Sequence, residues 1–132
     1  KLKAGQDLVK DGRVLKNKKF TSPPSPSLSY VYCSDTKPWT GYESAIEGAH
    51  VMYHEATFTE QHAARAKQTY HSTAKQAAGI AEKTKVKYLV IGHFSSRYDT
   101  SEQHLLEAKS IFQNTITAED GEWIDLEKLP YF

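Results

Sequence analysis

With 132 residues, 39% of them hydrophobic, the chain can bury one modest core, and a single domain is the expectation. A formal net charge of +1 excludes a uniformly polyanion-binding surface, and no apolar run is long enough to span a bilayer, so no membrane partner is expected. The lone Cys33 excludes an internal disulfide and fits a reducing, cytoplasmic setting.

Charge is unevenly spread all the same. Lys1 to Phe20 holds seven Lys/Arg against two Asp, whereas Tyr98 to Phe132 holds two Lys against eight Asp/Glu. The basic amino-terminal stretch is either a solvated surface or a contact for an anionic partner such as RNA. The chain opens at Lys1 and its one methionine is Met52, from which we expect a piece of a longer protein.

In chain order, Leu8 to Leu15 sets Asp11-Gly12 between two short apolar pairs, the signal for a hairpin. Thr21 to Ser27 carries Pro23, Pro24 and Pro26 among serines and reads as a loop. Three strand-like runs follow, and each ends in groups that can do chemistry. Leu28 to Cys33 leads into Ser34-Asp35-Thr36. Ala49 to Tyr53 leads into His54-Glu55-Ala56-Thr57. Tyr88 to Ile91 leads into Gly92-His93 and then Arg97. Tyr42 to Gly48 predicts a helical turn or two, and Thr59 to Lys85 a long helical stretch broken at Tyr70-His71-Ser72-Thr73, with Ser72 or Thr73 as N-cap of the second half. Ser101 to Phe112 predicts an amphipathic helix, and Asp120-Gly121 a last hairpin. The alternation of strand and helix predicts an α/β layered unit whose strand ends deliver Asp35, His54 with Glu55, and His93 to one rim.

No local spacing advertises a metal site. Asp35 and His93 are either a turn-forming Asp and a loop His, or ligands of zinc or manganese, with Asp35 able to bridge two ions. Two bridged cations suit phosphodiester hydrolysis, and Arg97 then serves as a phosphate clamp or, in the bland alternative, as half of a surface salt bridge. His50, His62 and His104 lack this context and read as structural or solvated.

Four ordered motifs carry a resemblance: Tyr32-Cys33-Ser34-Asp35-Thr36, His54-Glu55-Ala56-Thr57-Phe58, His71-Ser72-Thr73 and His93-Phe94-Ser95-Ser96-Arg97-Tyr98. From about Leu2 to Phe112 the chain resembles the carboxy-terminal half of ribonuclease Z, a metallo-β-lactamase-fold endonuclease family that matures the 3′ ends of tRNA precursors. The resemblance implies half of an αββα sandwich, residues 1–27 being hairpin and Pro/Ser loop and 28–132 the α/β core. It implies a zinc-dependent endoribonuclease that removes 3′ trailers, with two zinc ions per full-length subunit. Asp35 would bridge the zinc ions, His93 would ligate one, and His71 would give a proton to the departing 3′ oxygen. Glu55 would orient His71 or a ligand with His54 beside it, and Arg97 would contact substrate phosphate.

The family's amino-terminal His-x-His-x-Asp-His motif has no counterpart here, so the site is incomplete and the chain alone is expected to be inactive. Its partners would be precursor tRNA, the missing amino-terminal half, and a second copy in a homodimer that covers an otherwise bare sheet face. Two further readings stay open: a nuclease-fold phosphodiesterase acting on another ester, and a non-catalytic fragment that self-associates and binds RNA through Lys1 to Lys19.

Overall fold

A computed structural model describes residues 1–23, 27–126, 128 and 129. The amino-terminal hairpin forms as its Asp-Gly turn requires: β1 (Leu8–Lys10) pairs antiparallel with β2 (Arg13–Leu15), and Asp11 and Gly12 both take positive φ between them. The following Pro/Ser loop falls partly on Pro24, Ser25 and Pro26, which lie outside the described residues.

The core is a four-stranded sheet, β3 (Tyr30–Cys33), β4 (Val51–Glu55), β5 (Tyr88–Gly92) and β6 (Thr115–Thr117), all parallel and in sequential order. The crossovers run through α1 (Glu43–Ile46), then α2 (Ala63–Thr69) with α3 (Ala74–Thr84), then α4 (Glu102–Lys109). Strand order that never reverses, with right-handed crossovers, puts all connecting helices on one side of the sheet. That side holds the main core, in which Met52, Leu89 and Ile91 are fully buried against Ala74, Ala77, Ala78 and Ala81 of α3. The alanines recur at positions one helical turn apart, so α3 presents a flat stripe that lets it lie close on the strands. Thr73 caps α3 with a reciprocal capping box: its hydroxyl accepts Gln76 N–H at 3.2 Å while Gln76 Oε1 accepts Thr73 N–H at 2.9 Å.

The opposite sheet face differs from the bare surface predicted. Val51, Tyr88 and Val90 are buried there by Ile116, Ala118, Ile124, Leu126 and Leu129, residues that follow or belong to β6. Among the described residues the β3 side of that face stays open, where Tyr30 and Tyr32 are 53% and 63% exposed and Tyr32 stacks on Tyr53 with centroids 4.7 Å apart. Two other expectations shift. Among the described residues Asp120-Gly121 forms a turn without flanking strands, so there is no last hairpin. β6 went unread because Thr115-Ile116-Thr117 is too short to show a period, and its pairing with β5 is settled by tertiary contact.

Candidate active site

The carboxyl ends of β3, β4 and β5 form one rim, as Cys33 pairs with His54 and Glu55 with Gly92. Beyond it the chain turns sharply at Asp35 and His93, both in the left-handed region at φ 44° and 59°. Such a conformation costs a non-glycine residue about 1 kcal/mol, and here it aims the two side chains at each other. Backbone bonds lock the loops together: Ala56 N–H reaches the Gly92 carbonyl at 2.8 Å, Ser95 N–H the Thr57 carbonyl at 3.1 Å, and Phe58 N–H the Ser72 carbonyl at 3.2 Å. Ser72 Oγ also donates to the Thr36 carbonyl at 2.7 Å, fastening the Asp35 loop to the start of α3.

Asp35, His71 and His93 meet at this rim, each offering a ligand atom within 4.8 Å of the others. Asp35 Oδ1 lies 3.1 Å from His93 Nε2 and 4.0 Å from His71 Nδ1, and the two imidazoles stack with centroids 5.4 Å apart. Glu55 is fully buried beneath them and accepts four hydrogen bonds. Thr57 N–H (2.9 Å) and the Thr57 hydroxyl (2.8 Å) reach Oε2, while His71 Nδ1–H (2.8 Å) and Ser72 N–H (3.1 Å) reach Oε1. The backbone donor before α3 therefore serves the protein's own carboxylate.

Thr57 is the hub that the sequence did not mark. Its hydroxyl gives its proton to Glu55, so its oxygen must accept, and His93 Nδ1 stands 2.9 Å away. That places the His93 proton on Nδ1 and turns the Nε2 lone pair toward the Asp35 carboxylate. Two acceptors facing each other 3.1 Å apart call for a proton or a cation between them. A carboxylate and an imidazole held by an outer hydrogen bond are donors suited to zinc, so these residues fit the metal that the resemblance implies. In the same way Glu55 holds His71 by Nδ1, which leaves Nε2 as its available nitrogen.

His54, predicted to stand beside Glu55 in the site, is not brought into the cluster. Successive strand residues face opposite sides, so His54 at the end of β4 turns away from the rim and into the interior. There it is fully buried, its Nδ1–H donating to the Glu55 carbonyl at 2.7 Å and its Nε2 accepting from the Tyr42 hydroxyl at 3.3 Å. Burial pushes His54 down toward the neutral form and Tyr42 up to about 12, which suits both to this bond. Its role is to fix the backbone from which Glu55 projects. Arg97 sits near the rim, with its guanidinium 5.3 Å from the Phe58 ring centre and Nε donating to Ser95 Oγ at 3.2 Å. His62 is structural, bonded to the Tyr98 hydroxyl at 2.7 Å, and Tyr98 in turn accepts Thr59 N–H at 3.1 Å.

No family model matches the chain. Among curated proteins it is 47% identical over 116 residues to "Ribonuclease Z" of Porphyromonas gingivalis, covering 88% of this chain and 38% of that protein. It is 49% identical over 121 residues to "Ribonuclease Z" of Parabacteroides distasonis, covering 91% and 40%. Among solved structures the human tRNase Z, short form, superposes with a TM-score of 0.62 at 26% identity, covering 86% of this chain and 36% of that one. The chain thus spans about two fifths of the length of the curated relatives it matches. Over the part it spans, the chain is similar in sequence to proteins named "Ribonuclease Z", and it shares the metallo-β-lactamase fold of its structural neighbours.

Proposed function

We propose that this chain supplies Asp35, His93 and His71 to the metal centre of a longer zinc-dependent endoribonuclease that removes 3′ trailers from tRNA precursors. The observation that carries it is the Asp35–His93 contact of 3.1 Å, with His93 oriented through Thr57 so that its lone pair faces the carboxylate. Zinc bound by Asp35 and His93 would supply Lewis acidity at the scissile phosphodiester. Glu55 holds His71 by Nδ1–H, so a further proton on that ring sits on Nε2, where it can pass to the departing 3′ oxygen. Arg97, already at the rim, draws a phosphate oxygen toward the cluster. The remaining ligands come from the rest of the longer protein, and the exposed Tyr30 and Tyr32 support burial of that sheet face against it or against a second copy.

The test is His71→Ala in the longer protein, assayed on a precursor tRNA with a 3′ trailer and, in parallel, for zinc content. Turnover should fall by about 100-fold or more while zinc is retained, as for loss of a general acid. Equal loss of zinc and activity would contradict the role of His71, and cleavage of small phosphodiesters but not precursor tRNA would contradict the substrate.

A further inference from the structure

Beside α2 opens a cleft of about 770 Å³ whose lining includes Lys37, Trp39, Ala64, Lys67, Tyr70 and His71. Two aromatic rings are kept exposed there by backbone devices. Tyr70, 67% exposed, closes α2 in the left-handed conformation at φ 61°, its N–H bonded to the Ala66 carbonyl, and this throws the ring outward. Trp39, 58% exposed, lies with its indole directly over Gly41, where a Cβ would clash with the ring. Only glycine allows that placement, and Tyr42 braces the indole edge-on at a centroid distance of 5.7 Å. The Lys37 ammonium stands 5.4 Å from the Tyr70 ring centre, and Lys67 adds a second cation to the same cleft.

Exposed aromatic faces beside two cations match a flat heterocycle joined to a phosphate. We propose that this cleft is a subsite for one unpaired nucleotide of a single-stranded RNA segment. Its base stacks on Tyr70, next to Trp39, and its phosphate is met by Lys37 and Lys67. The inference rests on the nuclease reading for the source of the RNA. The cleft itself is argued from its own residues, so its test needs neither zinc nor cleavage.

The chain has two tryptophans, and Trp123 is 98% exposed, so Trp123→Phe leaves Trp39 as the sole indole with the packing undisturbed. Its fluorescence is titrated with hexauridylate, and separately with an abasic ribose-phosphate hexamer, in the presence of a chelator. Saturable quenching by hexauridylate is expected, with weak quenching by the abasic strand. Tyr70→Asn, which tolerates the left-handed backbone, should weaken hexauridylate binding by about tenfold, and Tyr70→Phe should restore it. Equal quenching by the abasic strand, no quenching by hexauridylate, or no effect of Tyr70→Asn would overturn the subsite. If the quenching pattern holds while the longer protein leaves precursor tRNA uncut, the subsite stands and the nuclease reading fails. The reverse pattern removes the subsite alone.

Discussion

Glu55→Gln keeps the shape of the buried side chain and takes away one acceptor, so its cost can be worked from the four bonds at this site. Oε2 receives the Thr57 N–H and hydroxyl, and Oε1 receives His71 Nδ1–H and Ser72 N–H. The amide NH2 must face one of these pairs. Toward the first, the hydroxyl can rotate and accept, but the Thr57 N–H cannot. Toward the second, the imidazole can move its proton to Nε2, but the Ser72 N–H cannot. Either way one buried backbone donor loses its acceptor, which costs about 1–3 kcal/mol, and the weaker remaining bonds to a neutral group add about 1 kcal/mol. A total near 3 kcal/mol should lower the thermal midpoint of a domain this size by about 10 °C. Thermal unfolding followed by circular dichroism measures it, with urea unfolding as a check on the free energy. A shift under about 2 °C would mean that Glu55 is not the buried acceptor described and that another group orients His71.

Thr57→Val removes the hydroxyl on which His93 Nδ1 relies, and should weaken zinc binding by about 10- to 100-fold in a competition titration; unchanged affinity would mean that His93 is oriented some other way. Stability should also fall in acid. His54 and His104 are fully buried and burial pushes both pKa values down, so the unfolded chain takes up protons below about pH 6.5 that the folded chain resists. The full contribution is present above that pH and is lost as pH falls, by up to about 1.4 kcal/mol per pH unit for each histidine, readable from urea unfolding at stepwise pH. Because, among the described residues, neither His104 nitrogen makes a hydrogen bond of normal geometry, His104→Phe should flatten part of that slope without loss of stability at neutral pH. An unaltered slope in that variant would exclude His104 as a source.

The rim was legible because an apolar run gives way to polar residues at each of its three parts, and a strand end can be read without knowing what it pairs with. That pattern put Asp35 and His93 at the rim, whereas their roles as ligands rested on the resemblance. His71 and the Thr73 cap came from a break in a helical run, where the loop residues betray the new start. Two residues were harder for definite reasons. His54 and Glu55 are neighbours in sequence, and which of them faces the rim depends on the phase of β4, which the apolar run does not reveal when both faces are buried. Thr57 makes its contacts to His71 and His93 across 14 and 36 residues, and a threonine after a strand has no local mark of such a role. The covering of Val51, Tyr88 and Val90 by the segment after β6 was equally hidden, because Ile124, Leu126 and Leu129 show no period and find their place only against the sheet.

The most direct measurement is zinc content by elemental analysis after dialysis, on the longer protein and its Asp35→Asn variant, with Asp11→Asn, in the amino-terminal hairpin, as control. The wild type and the control should retain zinc, and Asp35→Asn should lose most of it while keeping its fold. Equal zinc in all three would contradict a metal centre built on Asp35, whatever the protein goes on to cleave.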